Sequence, residues 1–184
     1  MIQQAKKENI TNLSLLILNA IGTIANTLTG ENERNKILET LDLYISMDIN
    51  RISYNNIYTY KIENELAGLI IAYNSNKIKE LDAPILNHLK SKNMFLKSFD
   101  KECFKDEFYI DTVSVSEEFQ RKGIAKEFFA FIEKEAKNVG FEKVSLLVDF
   151  KNPKALALYK KIGFKRNTIL EVSNHQYHHM IKII

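Results

Sequence analysis

Ile10, Leu13, Ile17, Ala20, Ile21, Ile24 and Leu28 recur at helical spacing, with Asn12, Asn19, Thr23, Asn26 and Thr27 between them. This pattern predicts an amphipathic helix over Asn12–Leu28 lying on a core. Lys6 and Lys7 ahead of it raise the question of a leader or a membrane span, but the segment is too polar to cross a bilayer; cleavage as a signal segment is the alternative. After Gly30, a helix stop, the residues Ile37, Leu38, Leu41, Tyr44 and Ile45 predict a second helix over Asn32–Met47. The period then changes. Asn56–Ile62 and Leu66–Tyr73 are rich in β-branched and aromatic residues and are separated by Glu63, Asn64 and Glu65, which reads as a β-hairpin. Lys77–Leu89 is ambiguous and partly helical. Phe108–Val115 reads as a strand, and Phe128, Phe129, Ile132 and Ala136 give the segment after Gly123 a helical stripe that stops near Gly140. Lys143–Val148 is again a strand. Asn152, a good cap, and Pro153, suited to a first turn, open a short helix that Gly163 closes, and Phe164–Leu170 and Gln176–Ile183 follow as strands.

From Phe108 onward, therefore, strands alternate with helices. That order implies an α/β layer structure with a central mixed sheet flanked by helices, in which the strands Phe108–Val115 and Lys143–Val148 are parallel and joined by a right-handed crossover. The chain has 184 residues, 45% of them hydrophobic and 27% charged, which suits a single domain over 1–184 with one sizeable core. No linker, low-complexity tract or internal repeat divides it. The net charge of +3 is dispersed, with no concentrated Lys/Arg block, so nucleic acid is not expected as a partner and an anionic small ligand fits as well. The single cysteine, Cys103, cannot form an internal disulfide and is read as inert, and a reduced, cytoplasmic setting fits best.

The turn from strand to helix at Gln120–Ala125 is the first place where chemistry concentrates. A helix start has unpaired backbone N–H groups and a positive dipole end, Gly123 lets an anion approach the backbone, and Arg121 and Lys122 add full charge. An ordinary surface turn with two solvated cations is the plain alternative. Neither GxxxxGK[ST] nor GxGxxG is present. The second concentration is NPKALALYKKIGF, Asn152–Phe164.

Taken together, Gln120–Ala125 in the form Q/R-x-x-G-x-G/A and the later N-x-x-A-x-x-L-Y-x-x-x-G-F run closely resemble the GNAT superfamily of acyl-CoA-dependent N-acyltransferases. The specific likeness covers the motif-bearing core 108–184; the hairpin upstream agrees only in general, and the first fifty residues carry none of it. Ala125 stands where many relatives have a second glycine, a replacement that the family pattern allows. The resemblance implies a GNAT-like fold and acetyl-CoA as co-substrate. It implies that Gln120, Arg121, Lys122, Gly123, Ile124, Ala125 and Lys126 cradle the pyrophosphate, and that Val113, Ser114 and Val115 present backbone groups to the acyl-pantetheine arm where their strand splays from its parallel neighbour. Asn152 matches the asparagine that approaches that arm, a role compatible with capping a helix. Tyr159 matches the position that commonly serves as the general acid, donating to the leaving sulfur, with a backbone N–H near Val115 meeting the oxyanion.

A base is harder to assign. Asp111 lies two residues before Val113 and shares its strand face unless a bulge intervenes, so it is the candidate, a structural carboxylate being the alternative. Leu146 and Leu147 stand where certain relatives that modify protein N-termini carry a glutamate, which argues against that substrate. Alternation puts His175 and His179 on one face and His178 on the other; with no completing carboxylate or cysteine spacing, no metal site is expected. Glu80, Asp82, Asp106 and Glu107 lie in less regular segments and would attract a cationic amine, solvated loop charge being the alternative. The expectation is an N-acetyltransferase acting by direct transfer in a ternary complex on a small-molecule or peptide amine, with no membrane partner. A non-catalytic acyl-CoA sensor on the same fold is the rival. The acceptor, the acyl-chain preference and the oligomeric state, a homodimer included, are left open.

Overall fold

The computed structural model describes residues 1–10 and 12–184. In chain order it runs β1 (Ile2–Gln4), α1 (Leu13–Ile21), α2 (Ile24–Thr29), α3 (Arg34–Ser46), β2 (Ile57–Ile62), β3 (Glu65–Asn74), α4 (Ile78–Ser91), β4 (Phe108–Val115), α5 (Ile124–Asn138), β5 (Lys143–Asp149), α6 (Pro153–Lys161), β6 (Lys165–Val172) and β7 (His175–Ile183). The strands form one seven-stranded sheet in the order β1-β2-β3-β4-β5-β7-β6. Of its neighbouring pairs, β4–β5 is parallel and the others are antiparallel. The mixed sheet flanked by helices is thus the predicted architecture. Among the described residues, no helix is long and apolar enough to cross a membrane.

Alternation along β3 shows why the sheet is covered on both sides. Leu69, Ile71 and Tyr73 belong to a core that includes Leu13, Ile17, Leu41, Tyr44 and Ile45 from α1 and α3, whereas Ile70 and Ala72 belong to one that includes Phe128, Phe129 and Ile132 from α5. A strand with period two that is apolar at every position must have protein on each face. These faces are called below the α1 face and the α5 face. The hairpin between β2 and β3 closes through Glu63 and Asn64, with φ of 50° and 71°, the left-handed pair that a tight two-residue turn requires. Glu65 therefore belongs to β3 rather than to the turn.

The structure departs from the sequence reading, or completes it, at three places. The single helix predicted over Asn12–Leu28 is two helices, because Gly22 takes φ 54° and ψ −126° and donates its N–H to the Leu18 carbonyl, ending α1. The apolar stripe resumes on a new axis, with Ala25 and Leu28 buried, and Ala20, placed on the predicted stripe, is exposed. The ambiguous stretch Lys77–Leu89 is the helix α4, which buries Leu81, Ile85 and Leu89 at successive turns despite Pro84 inside it. β1 was not predicted. Three residues are too few for alternation to register, and it exists through pairing Ile2, Gln3 and Gln4 with Tyr60, Thr59 and Tyr58.

Gly68 sets how closely β3 lies against the end of β4. A Cβ built there would stand 2.6 Å from the Ser114 carbonyl oxygen and 3.3 Å from both the Val115 Cα and a Phe128 ring carbon. Neither backbone atom can turn away as a side chain would. Gly68→Ala is accordingly expected to destabilise the protein by about 2 kcal/mol, the scale of overpacking a tight core, read as a lower urea midpoint at unchanged m-value.

Candidate active site

The parallel seam between β4 and β5 is short. Phe108, Tyr109 and Ile110 pair with Val144, Ser145 and Leu146, and there the ladder stops. β4 continues on β3 as far as Val115, while β5 continues on β7 as far as Asp149. The two strands therefore part at their C-terminal ends and leave a cleft, the usual ligand position in an open α/β sheet. The Ser116 N–H donates to the Ala67 carbonyl at 2.9 Å. Alternation in an antiparallel ladder then turns the backbone groups of Ser114 and Thr112 toward β3, and those of Val113 and Val115 toward the cleft. Of the three residues expected to offer backbone groups there, Ser114 is the exception. At the cleft's end the Gln120 amide donates to the Val115 carbonyl at 3.3 Å.

Gln120 leads into the turn that begins α5. Arg121 and Gly123 have φ of 62° and 87°, so the chain doubles back before the helix, and no side chain caps it. The Gly123 carbonyl accepts from the N–H groups of Lys126 and Glu127, leaving those of Ile124 and Ala125 without intrahelical acceptors. A Cβ at Gly123 would meet nothing within 4 Å, so the approach to this backbone is open. Arg121, Lys122 and Lys126 are exposed around it, with the Lys122 ammonium 4.8 Å from the centroid of the Phe119 ring. Ile124 is buried and anchors the first turn in the core. Open N–H groups, clustered cations and an unobstructed glycine suit a diphosphate, so the donor set fits the pyrophosphate expected there.

α6 brings up the second motif. Asn152 is exposed and caps the helix, its Oδ1 accepting the Ala155 N–H at 3.0 Å, which leaves its amide N–H groups free. Tyr159 is half-buried on the α5 face, its ring edge-to-face with Phe129 at 5.4 Å and tilted against Phe164 at 6.2 Å. Burial pushes its hydroxyl up to about 12, so the group holds its proton throughout the neutral range.

Asp111 is where the strand face changes. Ile71 pairs with Thr112 and Ala72 with Ile110, so Asp111 is the extra residue of a β-bulge. Before it, Phe108 and Ile110 lie on the α5 face; after it, Val113 and Val115 do. Asp111 and Val113 consequently point to opposite faces, correcting the unbulged expectation. Asp111 lies at the apex of the cleft, one residue past the last β4–β5 pair, and its side chain joins a network on the α1 face. Its carboxylate accepts from the Tyr73 hydroxyl at 2.6 Å and the Thr112 hydroxyl at 2.9 Å, and Arg51 Nη1 stands 4.0 Å away. Arg51 also pairs with Asp82 at 2.8 Å and Glu102 at 2.6 Å, and the Tyr109 hydroxyl donates to Glu102 at 3.0 Å. Burial, and then the charge of Glu102, raise the Asp111 carboxyl above its ordinary value against the pull of Arg51 and Tyr73.

Arg51, Tyr73 and Glu102 carry no sequence signal, since they meet only through contacts between distant segments. Asp82 and Glu107, read as candidates for attracting an amine or as solvated charge, are not solvated loop charges. Asp82 pairs with Arg51, and Glu107 is buried 3.0 Å from His179 Nε2. His179 is buried with its Nδ1 3.2 Å from the Asn167 amide, while His178 stacks on Phe150 from the other face. Cys103 is buried, and burial followed by the Glu102 charge pushes its thiol up to about 12, which agrees with an inert cysteine.

Comparisons with known proteins bear on this cleft. Residues 25–164 match the model of the acetyltransferase (GNAT) family. A stretch of 63 residues is 43% identical to GCN5-related N-acetyltransferase 4, chloroplastic, of Arabidopsis thaliana, a match that spans 34% of this chain and 22% of that protein. A crystal structure of an acetyltransferase superposes with a TM-score of 0.83 at 29% identity, covering 100% of this chain and 99% of that one. An N-acetyltransferase from Staphylococcus aureus Mu50 superposes with a TM-score of 0.76 at 26% identity, covering 98% and 99%.

Because the folded-state value of Asp111 is raised, the stability linked to its proton is complete below the unfolded carboxyl value of about 3.9 and is lost as pH rises through the folded value. Asp111→Asn keeps an acceptor for Tyr73 and removes the ionisation, and Arg51 retains Asp82 and Glu102. The variant is expected to be at least as stable as the wild type at pH 7, with its advantage shrinking toward pH 4, as measured by denaturant unfolding at both values.

Proposed function

The chain belongs to the acetyltransferase (GNAT) family, and from that premise we propose that it transfers an acetyl group from acetyl-CoA to a primary amine by direct transfer within a ternary complex. The acceptor is a small molecule or a peptide carrying that amine. The observation that carries the reading is the cleft at the β4–β5 splay, with Val113 and Val115 directed into it, Asp111 at its apex on the α1 face and Tyr159 on the α5 face. A candidate base and a candidate acid on two sides of an open seam suit addition of an amine to a thioester carbonyl followed by expulsion of the thiolate, in which one group takes the amine's proton and the other serves the leaving sulfur.

Acetyl-CoA supplies the acetyl group as a thioester, bound with its diphosphate over the open N–H groups of the α5 start and the cations Arg121, Lys122 and Lys126. A backbone N–H of Val113 or Val115 meets the negative charge that develops on the carbonyl oxygen; a preorganised donor aimed there needs no reorganisation as the charge forms. Asp111, with its carboxyl raised, takes the proton that the amine nitrogen must lose, directly or through one water. Tyr159, protonated at neutral pH, gives a hydrogen bond or proton to the sulfur as the C–S bond breaks and the C–N bond forms. The proton released by the amine thus balances the one taken up by the thiolate.

Acetyl-CoA is expected to raise the melting temperature, since a ligand that binds only the folded state stabilises it by mass action. Replacing both Arg121 and Lys122 by Ala should shrink that rise and its dependence on salt; an unchanged rise would remove the diphosphate assignment. Thiol release across a panel of polyamines, amino acids, aminoglycosides and peptides tests turnover, and thermal stabilisation without thiol release for any amine would favour a sensor. With the best amine, Asp111→Asn is expected to lower kcat by about a hundredfold, with partial recovery as rising pH supplies more free amine, and Tyr159→Phe by about ten- to a hundredfold. Both variants should keep the KM for acetyl-CoA near that of the wild type. Wild-type turnover in a folded variant would take that residue out of the chemistry.

A further inference from the structure

β6 ends the sheet, and among the described residues no strand pairs with its outer edge. Lys165 through Ile169 are all exposed, and Ile169, a large apolar residue on a strand edge, keeps 54% of its surface in water. A strand of this length presents a row of unpaired N–H and C=O groups, which proteins usually cover, shorten, interrupt with a bulge or protect with charge. β6 has one bulge, between Arg166 and Thr168, and carries charges of both signs at separate ends, Lys165 and Arg166 at the start and Glu171 near the finish.

We propose that β6 pairs antiparallel with β6 of a second copy of this chain about a two-fold axis through Ile169, joining the two sheets edge to edge. The register follows from the faces. Arg166, Ile169 and Glu171 stand opposite Met180, His178 and Gln176 of β7, and Met180 belongs to the α5-face core, so all three side chains lie on that face. Asn167 is the extra residue of a bulge, and its amide reaches His179 on the α1 face. With Ile169 facing its own counterpart on the axis, Leu170 faces Thr168. The bulge adds Asn167 to that half, which brings Arg166 rather than Asn167 opposite Glu171 and Lys165 opposite Val172. Symmetry repeats the Arg166–Glu171 pair, so two opposite-charge pairs flank a central apolar one, all on one face. Phe150, 40% exposed and stacked on His178 at 3.9 Å, borders the same face. A parallel arrangement would instead set Arg166 against Arg166 and Glu171 against Glu171, which is unfavourable for directly opposed residues. Self-complementarity of this kind selects a second copy over an unrelated strand.

An eight-residue ladder with its flanks is at the small end of specific interfaces, so the dimer should dissociate in the micromolar range. Sedimentation equilibrium up to about 200 µM is expected to give a monomer–dimer equilibrium. Glu171→Arg or Arg166→Glu alone should weaken it by at least about tenfold, because each creates two like-charge oppositions, and combining the two reversals should restore it. Recovery in the double variant shows that the single ones lose pairing and not folding. Ile169→Cys should cross-link on mild oxidation, while the wild type, whose Cys103 is buried, should not. A monomer at every concentration, a dimer indifferent to both reversals, or a dimer in which Ile169→Cys fails to cross-link would overturn the proposal.

Discussion

β4 carries one more residue than β3 requires, and the two-sided character of the cleft depends on it. Without the bulge at Asp111, strict alternation would put Asp111 and Val113 on a single face, and the carboxylate would crowd the same side as Tyr159. The extra residue flips the parity of the strand, so that Val113 and Val115 stay with the α5-face core while Asp111 is delivered to the network on the α1 face. The bulge coincides with the end of β4–β5 pairing. A bulge bends its strand and increases local twist, and a strand leaning away from its parallel neighbour leaves backbone donors unpaired beside a space a ligand can enter. One irregularity therefore opens the seam and assigns its walls.

The two walls differ in electrostatic character. Tyr159 lies against Phe129 and Phe164, where desolvation alone pushes its hydroxyl above the ordinary phenol value. Asp111 lies among ionic groups, with Arg51 shared between three carboxylates. A single guanidinium cannot neutralise all three, so burial and the neighbouring Glu102 both press Asp111 toward its neutral form. Removing Arg51 would leave those carboxylates uncompensated, a costly arrangement in a nearly closed site. Charges drawn from α4, the segment before β4 and β4 itself are thus tied together at the one place where β4 changes face. That link between packing and chemistry gives segments remote from the motifs a part in the site.

The corner at the start of α5 shows local sequence and tertiary setting in agreement. Gly123 has the left-handed backbone its residue type allows, and Arg121 adopts the same region at a cost that ordinary side chains avoid. Strain of this kind persists only where flanking structure holds it. Here Ile124 is locked into the core on one side and Gln120 reaches back to Val115 on the other.

What the sequence determined by itself is whatever short-range periodicity and turn chemistry encode. The strands β4, β5 and β7, the helices α3, α5 and α6, the hairpin and the cationic corner were all legible, because each rests on residues within a few positions of one another. The Asn152 cap and the placement of Tyr159 on α6 were legible for the same reason. Gly22 splits the first helix where a stripe of apolar residues ran across it, since periodicity records spacing and not the φ of one glycine. Tertiary structure alone decided β1, which needs β2 to exist, and α4, whose Pro84 and mixed pattern are outweighed by burial of Leu81, Ile85 and Leu89. It also decided the bulge at Asp111 and the gathering of Arg51, Tyr73, Asp82 and Glu102 around it. A bulge is a mismatch in count between two strands, and an ion network joins residues dozens of positions apart. Neither leaves a mark on one stretch of chain, because each is a property of how separate segments are set against each other.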